Sequence, residues 1–359
     1  MEEAGADSTK RIQLPDDLIR TLAIFLVIVL HVSNEALASN ALLSSYWWTG
    51  AVYKTLSLSC VPLFVMLSGA LLLQPTKLNE PIRVFLKKRL SRIALAFAFW
   101  TVVYLAWSFF TRQIPVTPNN IAQGILKSLF GGAYYHFWFI YLIIGLYLIT
   151  PILRVIIARD STRIIRYLIG LWFVAVAVLP LVNLASGYVL DSGVFVIGGW
   201  VGYFLLGTYL QKIRARAFVL YGLLVVTFVW TLLGVWLMNI PLTTLGQGYF
   251  FFDYLAANVI VGSAALFMLL IRFNPDWPSS KPTALKRLIQ AISRNTLPIF
   301  LFHVIILECF LRGFFGFTLS SATLNPIAEI PLNATLTLLL TLGLVLLMRR
   351  VPVLKKLIG

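Results

Sequence analysis

The stretch Asp17–Ser33, DLIRTLAIFLVIVLHVS, decides the fold. Arg20 and His31 bracket ten uncharged, mostly apolar residues. At about 100° per residue the two side chains fall on one helical face, and at ~1.5 Å per residue they stand ~16 Å apart along the axis. The arginine therefore lies at the edge of an apolar helix and the histidine well inside it. An ionisable group at that depth is costly to bury, so it marks a functional site.

The rest of the chain repeats the apolar theme. Of 359 residues, 60% are hydrophobic and 12% charged, and the mean hydropathy is +0.90. Soluble domains carry about twice that charge. Ten apolar runs of spanning length follow one another: 18–38, 51–73, 92–111, 136–157, 164–185, 194–211, 217–237, 250–271, 291–315 and 332–348. This reads as an all-α polytopic membrane protein of about ten transmembrane helices. Residues 1–13 read as a disordered cytoplasmic tail and 14–359 as one membrane domain. Ala36-Leu37-Ala38 resembles a leader cleavage site. The apolar core starts late for a leader, so the expectation is an uncleaved span.

The net charge of +16 fits a membrane protein without nucleic acid, because cytoplasmic loops collect Lys and Arg. With both termini in the cytoplasm, all 29 Lys and Arg except Lys54, Arg112, Lys127 and Arg312 fall inside. A wrong helix count would scramble that alternation. The histidines are His31, His136 and His303, and the cysteines Cys60 and Cys309 sit in apolar runs. The expectation is no metal and no disulfide framework.

Nine further positions carry candidate chemistry besides Arg20 and His31. Glu35, one turn beyond His31, can hold an imidazole tautomer for general-base work. In the loop from Pro75 to Arg92, Lys88 stands beside Arg89 and Arg92, whose spacing puts two guanidinium groups on one face as a phosphate clamp. His136 is expected at the outer surface, with Trp138 in an aromatic belt suited to stacking on a sugar. His303 and Glu308 are ionisable groups in the ninth run, about 140° apart, with a kink expected at Pro298. Asp253 opens the eighth run. For an arginine or histidine here, ordinary positive-inside loading and interhelical hydrogen bonding compete with function. Gly198 and Gly202 read as a close helix-packing pair.

These features together resemble the acyltransferase-3 family of integral-membrane O-acyltransferases. The resemblance rests on Arg20-x10-His31, Asp17-x-x-Arg20 and Arg89-x-x-Arg92. VPLFVMLSG at 61–69, HFWFIYLIIGLYLITPILR at 136–154 and the Ser293-Arg-Asn-Thr…His303 run extend it over residues 13–358. Many relatives carry glycine where this chain has Thr21. The small stand-alone branch O-acetylates envelope glycans. The resemblance implies a cytosolic acyl-CoA donor, usually acetyl-CoA, with a hydroxyl acceptor on an envelope glycan or lipid-linked sugar. It implies that Arg20 and His31 are required, and it places the protein in the cell inner membrane. His31 would act as a general base or as a transient acyl carrier, two routes the residues leave open. His136, Trp138, Asp253, His303 and Glu308 fall to the acceptor side. An exporter or flippase of a polysaccharide or lipid-linked sugar is the competing reading, in which His31 and Arg20 relay protons or touch substrate.

Overall fold

The computed structural model describes residues 14–113, 115–158, 162–186, 199–240, 249–273 and 283–359. The expected tail 1–13 lies outside them, as does Gly198. Among the described residues the chain is helical, without strands. The helices, in chain order, are α1 (Leu14–Ser39), α2 (Ser45–Ser57), α3 (Cys60–Leu72), α4 (Ile82–Arg112), α5 (Pro118–Gly131), α6 (Trp138–Ala158), α7 (Thr162–Phe173) and α8 (Leu179–Ser186). They continue as α9 (Val201–Leu210), α10 (Ala217–Asn239), α11 (Ala257–Leu270), α12 (Ala284–Arg294), α13 (Thr296–Leu311), α14 (Pro326–Met348) and α15 (Pro352–Leu357).

Among the described residues eight segments are long and apolar enough to cross a membrane, and nine if α12 and α13 form one bent span. The chain is a multi-pass membrane protein. The run expected at 194–211 contributes only the ten-residue helix α9 among the described residues. Two other expectations change. The basic stretch read as loop is largely the start of α4, because Lys and Arg are good helix formers and residues 82–112 contain neither Gly nor Pro. At 31 residues, α4 is ~46 Å long and outruns the ~30 Å apolar layer. The bend in the ninth span is 86° and lies at Asn295 between α12 and α13, not at Pro298. Pro298 sits in the first turn of α13, where a missing N–H breaks no helical hydrogen bond.

Helix α1 is the central post. Ile19, Ala23, Ile24 and Ile28 are fully buried, and α1 packs against α2, α3, α12, α13 and α14. Asp17, buried at its foot, accepts a 2.6 Å hydrogen bond from Ser293 Oγ and so ties α1 to α12. A second anchor is Arg154 on α6. It pairs with Glu80 at 3.0 Å, donates Nε–H to the Leu72 carbonyl at 3.0 Å, and lies over the Phe85 ring. This fixes the turn between α3 and α4 against α6.

Helices α3 and α9 approach so closely that each needs a glycine. A Cβ on Gly69 would sit 1.9 Å from the Phe204 carbonyl oxygen, and one on Gly207 would sit 2.0 Å from that of Met66. Gly202 of the expected packing pair serves the Trp172 ring in the same way, at 1.8 Å. Gly69→Val should cost about 3 kcal/mol or more, because backbone, not a flexible side chain, must move. The thermal midpoint of the solubilised protein should drop, while Gly145→Val, whose Cβ would meet nothing within 4 Å, should leave it nearly unchanged. Equal midpoints would show that the two helices part cheaply.

Candidate active site

Three cavities lie in series along α1, α4, α6 and α13. The first, about 680 Å³, is basic: Arg20, Lys88, Arg89, Arg92 and Arg294 line it, with Tyr147 and Ser293. The second, about 330 Å³, is lined by His31, His136, Asn34, Cys60, Trp138 and Tyr254. The third, about 600 Å³, is polar, with Arg112, Asn120, Gln123, Lys127, Tyr134 and Glu308. Phe139 and Phe300 line both the first and the second, with ring centroids 5.0 Å apart. Tyr135 lines both the second and the third. Along α4, Arg89 and Arg112 stand ~34 Å apart, so the first and third cavities occupy opposite ends of the helix bundle.

All three histidines meet at the middle. The His31 and His303 rings are 5.3 Å apart, tilted by 31°, and His136 lies 5.6 Å from His303. Tyr135 meets His31 edge-on at 5.1 Å. His303 Nδ1 is 2.7 Å from the Phe300 carbonyl and 3.3 Å from that of Ile299. A carbonyl oxygen only accepts, so Nδ1 carries a proton and donates it. In the neutral ring Nε2 then keeps its lone pair, and it has no hydrogen-bond partner among the described residues. His303 itself is fully buried and is not among the residues lining the three cavities, so it bears on the site through the His31 ring it packs against. Among the described residues no group of three or more His, Cys, Asp or Glu is arranged to hold a metal ion.

The expected surface position of His136 is overturned: it is 2% exposed. The short 3-10 turn Tyr135–Phe137 folds it inward before α6 begins, against Tyr104 at 5.1 Å and Phe300 at 5.5 Å. Its neighbour Trp138 does line the histidine cavity, in an aromatic wall with Trp200 at 5.6 Å and Tyr254 at 6.1 Å.

A family model described as an acyltransferase domain (Acyl_transf_3) matches residues 17–349, nearly the whole chain. The chain belongs to the acyltransferase-3 family. Comparisons with curated proteins and with solved structures return no match. It is thus a membrane-embedded acyltransferase with a donor and an acceptor substrate.

Where the acyltransferase holds the remaining expected residues varies. Arg20, Lys88, Arg89 and Arg92 share one cavity, and Arg20 lies 4.0 Å from Asp17. Glu35 Oε1 accepts from Ser39 Oγ at 2.7 Å, one turn further on, and among the described residues no hydrogen bond joins Glu35 to His31. Asp253 caps the turn before α11, accepting from Leu255 N at 2.7 Å, and it is Tyr254 beside it that reaches the cavity. Glu308 faces the third cavity, where Trp107 Nε1 donates to it at 2.9 Å and the Tyr134 hydroxyl donates to its other oxygen. Burial, then Glu308 itself, pushes that hydroxyl up to about 12, so it stays a donor. Sequence reasoning had no role for Asn34, Tyr135 or Arg294. Asn34 was findable, being three residues from His31 and so on the same face.

Proposed function

We infer that the enzyme moves an acyl group, acetyl first among them, from cytosolic acyl-CoA to a hydroxyl of an envelope glycan or lipid-linked sugar at the cell inner membrane. The observation that carries this reading is the contact of the basic cavity with the histidine cavity at Phe139 and Phe300. Arg89, Arg92 and Lys88 supply charge-assisted donors for CoA phosphates, with Arg20 and Arg294 beside them. The uncharged pantetheine arm then passes Phe139 and Phe300 and delivers the thioester to His31. His31 takes the proton of the acceptor hydroxyl as its oxygen attacks the thioester carbonyl. The C–S bond breaks, the acyl–oxygen bond stays, and the imidazolium returns the proton to the departing CoA thiolate. Trp138, Trp200 and Tyr254 offer aromatic faces to an acceptor sugar.

Purified enzyme in lipid nanodiscs, given acetyl-CoA, should release free thiol only when envelope glycan is added. Glycan-independent release would indicate hydrolysis, and no release with any glycan or acyl-CoA would return the exporter reading.

A further inference from the structure

The third cavity is absorbed by nothing in the transfer step, and its charge is unusual for its place. Positive-inside loading leaves four basic residues on the far side, Lys54, Arg112, Lys127 and Arg312. Three of the four meet here: Arg112 and Lys127 line the cavity, and Arg312 lies 3.7 Å from Glu308. Lys54 is elsewhere, over the rings of Phe252 and Tyr249.

Charge balance then decides what fits. Glu308 is the acidic residue of this cavity lining, and it is already engaged by Arg312, Trp107 and Tyr134. Arg112 lies against the Tyr134 hydroxyl, which is no counter-ion. Among the described residues neither Arg112 nor Lys127 has an ion-pair partner. Two uncompensated cations in one concavity focus a positive field. Asn120, Gln123 and Ser128 add neutral hydrogen-bonding groups of the kind sugar hydroxyls use. Tyr135 links this cavity to the histidine cavity, so a ligand anchored here can extend a hydroxyl past its ring toward His31.

We propose that the third cavity anchors the acceptor through an anionic group, a sugar phosphate or a sugar carboxylate, held by Arg112 and Lys127. This rests on the acyltransferase reading for the word acceptor, but not for the anion site itself. The test is built to separate the two. In a Cys60→Ala, Cys309→Ala background, Gln123→Cys puts a thiol in the cavity wall. The enzyme in nanodiscs is labelled with an anionic sulfonatoethyl and a cationic trimethylammonioethyl methanethiosulfonate. The anionic reagent should react faster, and Arg112→Gln with Lys127→Gln should lower the anionic-to-cationic rate ratio about tenfold. N-acetylglucosamine 1-phosphate and glucuronic acid are then offered as protectants beside neutral methyl β-glucoside. Protection by the phosphate alone assigns a phosphorylated acceptor, by glucuronic acid alone a carboxylate, and by both a site that reads charge only. A ratio unmoved by the double substitution, or neutral sugar protecting as well as either anion, overturns the proposal. Anion-selective labelling that persists in an enzyme unable to release CoA would instead sink the acyltransferase mechanism and keep the anion site.

Discussion

Membranes bearing His31→Ala should transfer radiolabelled acetyl from acetyl-CoA into envelope glycan about a thousandfold more slowly than wild type, at equal levels of inserted protein. The size follows from the role: general acid–base catalysis contributes about 10²- to 10⁴-fold. The location argues the rest. His31 lies in the cavity that meets the basic cavity at one side and the polar cavity at the other. His303 packs against His31 and His136 against His303, and both are more enclosed than His31. His303→Ala should therefore cost less, because its Nδ1 proton is committed to the Phe300 carbonyl and its ring acts by positioning His31. His303→Gln, which can still accept a hydrogen bond, should recover part of that loss, whereas His31→Gln should recover none. Transfer that survives His31→Ala but vanishes with His303→Ala would exchange the two roles.

Much of this architecture was legible from residue order alone, and the reason is the bilayer. A span must be long, apolar and helical, so the runs and their basic flanks locate the helices with little tertiary help. The Arg20–His31 face and the Arg89–Arg92 pair were readable because helical geometry is local. Convergence was not readable. A membrane helix that is apolar all round carries no amphipathic stripe to show which face turns inward, so nothing local announces that His303 meets both His31 and His136. That meeting depends on the bend at Asn295 and the 3-10 turn before α6. The same limit explains Glu35. The i+4 rule puts it within reach of His31, but Ser39 stands equally close on the other side and takes the hydrogen bond.

Arg89→Gln together with Arg92→Gln should raise KM for acetyl-CoA by about 10²-fold or more, with a much smaller fall in kcat. A hydrogen bond to a charged group is worth about 1.5–3 kcal/mol, and two guanidinium groups are removed at once. Their distance from the chemistry sets the split between the two constants. Arg92 precedes Arg112 on α4 by nearly the whole apolar layer, and the Phe139–Phe300 pair lies between the arginines and His31. Groups that grip the phosphates equally before and during transfer give uniform binding, which changes KM and leaves the chemical step alone. Salt provides an independent check, because exposed phosphate contacts weaken as ionic strength rises. The wild-type KM should climb with salt, and that of the double variant should climb less. Acetyl-pantetheine, which lacks the nucleotide and its phosphates, should not distinguish the two enzymes. A double variant that loses kcat with an unchanged KM, or that is equally impaired toward acetyl-pantetheine, would move Arg89 and Arg92 from donor docking to the transfer step or to the fold.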